Sequence, residues 1–149
     1  MESGLPILLV EDNPDDVILF RRAFEKMNLP NALYAVHSGD EAVQYLQGNG
    51  QYSDREQSPF PGVIFMSLAR PDPDAFQVLE WLRKHPECNV IPAIIFSAID
   101  RDQEVKRAFT LGVHGYFEKP CELDELARNL KRIYDYWSLS TKPKTPDRC

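Results

Sequence analysis

The chain has 149 residues, of which 43% are hydrophobic and 27% are charged, as expected for one soluble globular domain with a core of its own. Its 17 basic and 23 acidic residues give a net charge of −6, which argues against direct binding of nucleic acid or of an anionic membrane. The apolar runs LPILLV and VIPAIIFSAI are too short to span a bilayer, and the acidic start MESGLP lacks the layout of a signal peptide. We therefore expect a cytoplasmic protein.

The first half of the chain alternates short apolar runs with helical patterns. ILLV is typical of a buried parallel strand, and the Asn13–Pro14 step after it suits the start of a helix. ALYAV predicts a second strand, and Ser38 with Glu41 has the form of a capping box for a second helix. The polar segment 47–62 then interrupts the pattern, and it is either a contact surface or a solvated connector.

The second half continues the same alternation. VIFM, AIIFS and GYF predict strands three to five, and helical patterns follow each of them. The last helix has the most regular apolar spacing, at Leu123, Leu126, Leu130, Ile133 and Trp137. Five strand–helix units predict a parallel sheet covered by helices on both faces, with the functional site beyond the carboxyl ends of the strands.

Polar side chains stand at those predicted strand ends. Strand one ends in Glu11 and Asp12, strand three in Ser67, strand four in Ser97, and strand five leads to Lys119. Adjacent carboxylates suit a hard divalent ion such as Mg²⁺, and a lysine with a hydroxyl suits phosphate oxygens. The alternative is an ordinary polar rim at the edge of the sheet.

Four stretches in order, ILLVEDNPDD, RPDPDAFQVLEWL, IIFSA and GVHGYFEKP, resemble the receiver domains of two-component response regulators. The EDNPDD opening and the polar insertion are most similar to small stand-alone receivers, including those that work with bacterial phytochrome kinases. The resemblance implies a flavodoxin-like (βα)5 three-layer sandwich, with a five-stranded parallel sheet of order 2-1-3-4-5. We expect one receiver domain over residues 1–138 and a flexible tail over 139–149.

The resemblance also implies roles for particular residues. Asp12, beside Glu11, matches the acid that binds Mg²⁺ directly, and Ser97 matches the hydroxyl residue that holds the phosphoryl group. Lys119 matches the lysine that pairs with the phosphorylated side chain, and the proline after it often follows a cis peptide bond. Tyr116 matches the aromatic switch residue that turns inward when the hydroxyl moves.

The pattern breaks at Ser67, which stands where the family has its phosphoacceptor aspartate. A serine hydroxyl is un-ionised near neutral pH and needs a general base to attack a phosphoryl group. Only two acids, Glu11 and Asp12, remain for the metal, so we expect Mg²⁺ binding to be weak or lost. Ala75 stands where the family usually has glycine, and the loop differs in conformation if that position requires a positive φ.

These observations predict a degenerate (pseudo-)receiver in a two-component phosphorelay, a non-enzymatic module that acts by protein–protein interaction. Its expected partner is a histidine kinase or another signalling protein, or a second copy bound through the face of the fourth helix, fifth strand and fifth helix. We expect no DNA-binding domain, since only a short tail follows Trp137. The alternative is a phosphotransfer-competent regulator that uses Asp72 or Asp74 as its acceptor. An unrelated enzyme or nucleotide binder is disfavoured because the chain has no glycine-rich phosphate loop.

Overall fold

A computed structural model of the protein describes residues 5–29, 32–68, 73–98, 101–120 and 122–141, without the side chains of Leu68, Pro73 and Asp74. Strands and helices alternate along these residues. In chain order they are β1 (Ile7–Val10), α1 (Pro14–Lys26), β2 (Leu33–Val36), α2 (Gly39–Gln47), a 3₁₀ turn (Gly50–Tyr52), β3 (Val63–Leu68), α3 (Pro73–Arg83), β4 (Ala93–Ser97), α4 (Asp102–Thr110), β5 (Gly115–Glu118) and α5 (Leu123–Leu139).

The five strands form one parallel sheet in the order β2-β1-β3-β4-β5. This confirms the predicted flavodoxin-like fold and its strand order. In the register of the sheet, Val10 pairs with Met66, Ser67 with Phe96, and Ser97 with Glu118. The carboxyl ends of β1, β3, β4 and β5 therefore lie along one edge of the sheet, where the sequence places its polar side chains.

Successive strand residues point to opposite faces of the sheet, and each face has its own apolar cluster. One cluster packs α1 and α5 against Leu9, Phe65 and Phe96. The other packs α2, α3 and α4 against Leu8, Ile64 and Ile95. Because both faces of these strands are buried, they read as continuous apolar runs rather than as alternating ones.

The start of α1 follows its sequence signals. Asn13 has an extended backbone, and its side chain accepts a hydrogen bond from the Asp15 N–H at 2.9 Å. Pro14 occupies the first turn, and Asp15 and Asp16 stand at the positive end of the helix dipole. The helix therefore begins one residue after the predicted cap, directly beyond the carboxyl end of β1.

The polar segment 47–62 is a packed loop. Gly48 ends α2 in the left-handed conformation, with φ of 69°. The Arg55 guanidinium donates to the Leu46 carbonyl at 3.0 Å and to the Ser58 carbonyl at 3.1 Å, and it lies over the rings of Tyr45 and Phe60. Arg55 therefore fastens the loop to the end of α2, and a freely solvated connector does not describe it.

Three details differ from what the sequence suggested. Helical spacing in the sequence predicts that Val105, Ala108 and Phe109 form the apolar side of the fourth helix, but Phe109 is 52% exposed, whereas Ala108 is buried. Ala75 lies inside α3 and is not among the residues with positive φ, so this position does not demand glycine here. No peptide bond in the described ranges is cis, so the Lys119–Pro120 bond is trans.

The carboxyl-terminal helix α5 ends at Leu139, one residue beyond the expected domain limit. The tail after residue 141 lies outside the described residues. None of the helices that the structure describes is long and apolar enough to cross a membrane.

Candidate functional site

The edge formed by the strand ends brings together side chains from distant parts of the chain. Glu11 follows β1, Ser67 lies near the end of β3, Ser97 ends β4, and Lys119 follows β5. The Lys119 N–H donates to the Ser97 carbonyl at 2.8 Å, which continues the pairing of β5 with β4 past the last strand residue. The name strand-end site is used below for Glu11, Asp12, Asp16, Ser67, Ser97 and Lys119.

Lys119 is the cation of the strand-end site. Its side chain is only 9% exposed, and its Nζ donates to Glu11 Oε1 at 3.1 Å and to Asp16 Oδ2 at 2.8 Å. The Glu11 side chain is fully buried, and its Oε2 accepts the Asn13 N–H at 3.0 Å. The contact with Asp16 joins residues 103 positions apart, so this ion pair ties the first turn of α1 to the end of β5.

Burial sets the acidity of Glu11. Removal from water raises the pKa of Glu11 above its ordinary value of 4.5. The Ser67 hydroxyl, the Asn13 N–H and the Lys119 ammonium each favour the ionised form and oppose part of that rise. These three donors oppose the effect of burial without cancelling it, so the pKa of Glu11 stays above its ordinary value.

Ser67 is 2% exposed and is directed toward the Glu11 carboxyl, whose pKa its hydroxyl helps to lower. Within the described part of the chain, however, Ser67 Oγ forms no hydrogen bond of good geometry. A buried hydroxyl without a firm partner is uncommon, because its desolvation is not offset. The residue at the expected acceptor position is thus a neutral hydroxyl that is buried away from solvent and has no strong hydrogen bond among the described residues.

The other residues predicted for the site differ in how far they are buried. Asp12 is exposed, and Ser97 is 2% exposed at the end of β4. Tyr116 is half-buried and packs against the cluster on the α2, α3 and α4 face. Asp72 lies outside the described residues, as does the side chain of Asp74, so their suitability as acceptors stays a prediction.

Asp16 is the residue of this site that sequence reasoning missed. From the sequence, Asp16 is expected only to sit favourably at the positive end of the helix dipole. In the structure it is the nearer of the two carboxylates that contact Lys119, at 2.8 Å. A weak signal was available, since Asp16 comes four residues after Asp12 and stands in the first helical turn beyond β1. That turn faces the same edge of the sheet as the lysine.

The resemblance implies a Mg²⁺ ion at this edge, but the side chains present do not fit one well. Glu11 is already bound by the Asn13 N–H and by Lys119, and position 67 supplies a neutral hydroxyl in place of a carboxylate. Among the described residues, no group of three or more His, Cys, Asp or Glu side chains is arranged to hold a metal ion. Mg²⁺ needs well-placed oxygens in near-octahedral geometry, and the side chains described at this edge supply few that are not already bound.

Comparison with known proteins identifies relatives along nearly the whole chain. Response regulator Rcp1 of Synechocystis sp. is 29% identical over 138 residues, which cover 91% of this chain and 92% of that protein. The probable methanogenesis regulatory protein FilR2 of Methanothrix harundinacea is 28% identical over 139 residues, which cover 91% of this chain and 85% of that protein.

Solved structures agree with these relatives. The phosphorylated cyanobacterial phytochrome response regulator RcpA superposes with a TM-score of 0.81 at 29% identity, covering 95% of this chain and 100% of that one. The Mn²⁺-bound form of Rcp1 gives a TM-score of 0.76 at 27% identity, with 95% and 100% covered. At least one relative of this fold therefore holds a divalent metal.

The chain also matches a protein family as a whole. The response regulator receiver domain matches residues 7–131, a range that begins with β1 and ends within α5. All five strands and the complete strand-end site fall inside it. With the parallel 2-1-3-4-5 sheet and the polar residues at its carboxyl edge, the conclusion is direct: this chain belongs to the response regulator receiver domain family.

Proposed function

We propose that this chain is a pseudo-receiver, a signalling module whose state is not set by phosphorylation of an aspartate. The carrying observation is Ser67, a buried and neutral hydroxyl near the end of β3 where the family has its acceptor, with no hydrogen bond of good geometry among the described residues. A histidine kinase transfers its phosphoryl group to a carboxylate, and a neutral hydroxyl needs a general base instead. The nearest carboxyl group, Glu11, already accepts hydrogen bonds from Asn13 and Lys119.

The placement of Lys119 supports the same proposal. In the family this lysine pairs with the acceptor side chain, whereas here its contacts are with Glu11 and Asp16. Divalent metal binding at the site is accordingly weak or lost, because the remaining acids are Asp12, which is exposed, and carboxylates that pair with the lysine. The domain acts by binding other proteins, as receivers generally do, and carries out no catalysis of its own.

The binding surface is the face formed by α4, β5 and α5. Phe117 on β5 and Tyr136 on α5 are exposed, and between these two elements runs a groove of about 360 Å³. Its walls combine aromatic rings with the guanidinium of Arg132 and the imidazole of His114. The partners we propose are a second copy of this chain and a histidine kinase similar to those that serve the phytochrome response regulators it resembles.

Incubation with acetyl phosphate and Mg²⁺, followed by intact mass measurement, tests the proposal. Wild-type protein should gain no phosphate, and a Ser67→Asp variant should gain one, since the variant restores a carboxylate at the acceptor position. Phosphate on the wild type would overturn the pseudo-receiver proposal. A hydroxylamine-labile phosphate would then indicate an acyl phosphate, as expected if Asp72 or Asp74 is the acceptor, whereas a resistant one would indicate serine.

A further inference from the structure

The strand-end site holds one ammonium group in close contact with two carboxylates. Lys119 Nζ lies 2.8 Å from Asp16 Oδ2 and 3.1 Å from Glu11 Oε1. The side chains involved are 9% exposed for the lysine, 25% for Asp16 and 0% for Glu11. Interactions between charges this well shielded from water are much stronger than those of surface ion pairs.

A divalent ion that took Glu11 or Asp16 as a ligand would compete with this ammonium for the same oxygen atoms. Glu11 offers Oε1 to Lys119 and Oε2 to the Asn13 N–H, so both of its oxygens are engaged. A metal drawn to the site would displace the lysine or stand beside it, and like charges at such distances repel strongly. The neutral Ser67 hydroxyl adds no charge that could hold both cations.

We propose that the Lys119 ammonium is the resident cation of this site, held by Asp16 and Glu11, and that it replaces a divalent ion in balancing their charge. Asp16 is a positioning residue in this arrangement, because it fixes the ammonium from the first turn of α1. The inference deepens the proposed function and rests on it in one respect, the absence of a carboxylate at position 67. Removal of the ammonium should therefore strengthen the binding of divalent ions.

Titration with Mn²⁺, with free Mn²⁺ measured by electron paramagnetic resonance, tests the proposal on the full chain. Lys119→Met removes the ammonium and keeps most of the aliphatic stem, so it should bind Mn²⁺ roughly tenfold more tightly than wild type. The matched control Lys131→Met removes the same charge from an exposed ion pair with Asp135 on α5, and should stay within about twofold of wild type.

The Asp16→Asn variant separates the effect of the Lys119 ammonium on metal binding from the effect of the carboxylate that positions it. It leaves Lys119 charged, so it should gain no affinity for Mn²⁺. The side-chain ¹⁵N–¹H signal of the Lys119 ammonium should be visible in wild type, because the group is nearly buried and doubly bound, and should broaden in Asp16→Asn. This signal should also be unchanged by millimolar Mg²⁺ in the wild type.

The outcomes are decisive in both directions. Tight Mn²⁺ binding by the wild type, an unchanged affinity in folded Lys119→Met, or a shift of the wild-type ammonium signal by Mg²⁺ would overturn the inference. If Lys119→Met does not fold by circular dichroism, Lys119→Gln takes its place, and the ammonium signal remains a test on unmodified protein. Phosphate uptake by the wild type, measured separately by intact mass, would refute the proposed function without affecting the metal result.

Discussion

At the scale of single residues, the strand-end site contains a hydroxyl that the fold buries without a firm partner. Removing Ser67 Oγ relieves a desolvation cost that no well-formed hydrogen bond offsets, and it removes only a weak stabilisation of the Glu11 carboxylate. We expect Ser67→Ala to leave the free energy of unfolding unchanged or to raise it by about 0.5–1 kcal/mol, measured by urea denaturation.

The matched variant is Ser97→Ala, which removes an equally buried hydroxyl at the end of the neighbouring strand. Ser97 is not among the unpartnered side chains, so its loss should lower the free energy of unfolding by about 1 kcal/mol. A loss of similar size in both variants would show that Ser67 is as well bonded as Ser97.

Glu11 gives the site a distinctive dependence on pH. Burial raises its pKa in the folded state above 4.5, so the folded protein binds this proton more tightly than the unfolded chain does. The contribution to stability is complete below 4.5 and is lost as the pH rises through the folded-state pKa. We expect the free energy of unfolding of wild type, relative to Glu11→Gln, to decrease as the pH is raised from 4.5.

Urea denaturation of both proteins at a series of pH values measures this difference. Glutamine does not titrate, and the contributions of acids distant from the site cancel, including that of Asp124, whose pKa is lowered by the Lys26 ammonium. A difference that is flat or that increases with pH would contradict the raised pKa of Glu11.

At the scale of elements, Arg55 helps to hold segment 47–62 against the end of α2. Its guanidinium joins the end of α2 to the later part of the loop through two backbone carbonyls and two aromatic rings. We expect Arg55→Ala to lower the free energy of unfolding by about 1–3 kcal/mol, because it leaves those carbonyls without their charged donor. Hydrogen exchange should also become faster across the loop.

Two further variants control for charge and for the loss of an arginine. Arg55→Lys keeps the charge but not the planar fork, so its stability should fall between those of wild type and Arg55→Ala. Arg22→Ala removes an exposed arginine from α1 and should change the free energy of unfolding by less than about 0.5 kcal/mol. Equal losses at positions 22 and 55 would argue against a specific clamp.

Elements with strong local signals were predictable from the sequence. β1 and β4 begin and end where their apolar runs do, and the start of α1 follows from Asn13 and Pro14. The packed loop was not predictable, because the partners of Arg55 lie on the helix before it and the loop after it. The exposure of Phe109 was likewise hidden, since helical spacing alone does not show which side of a short helix meets the sheet.

The site was partly predictable for a related reason. The rule that parallel strands end at one edge brings Glu11, Ser67 and Lys119 together from sequence order alone. The rule does not show in which direction the Lys119 side chain points, and the contact with Asp16 depends on that direction. The roles assigned to Ser97 and Tyr116 rest on the family resemblance, and they stay predictions.

At the scale of the whole molecule, the face formed by α4, β5 and α5 exposes aromatic side chains beside β5, which is an edge strand of the sheet. Tyr136 is 64% exposed, and its ring packs edge-on against Trp137, which borders the groove beside β5. Phe117 is 40% exposed and stacks on Phe96 of the core. An exposed aromatic surface next to an edge strand of the described sheet suits association with another folded surface.

If the module works without phosphorylation, this face should bind a second copy regardless of phosphoryl donors. We expect concentration-dependent dimerisation in sedimentation velocity that is the same with and without acetyl phosphate and Mg²⁺. Tyr136→Glu should weaken it at least tenfold, because it places a charge in the contact, whereas Ile18→Glu, an equivalent change on exposed α1, should not. Equal weakening by both variants would show that the dimer contact lies elsewhere. A dimer that forms only with the phosphoryl donor would contradict the proposal and would indicate that phosphorylation controls this chain.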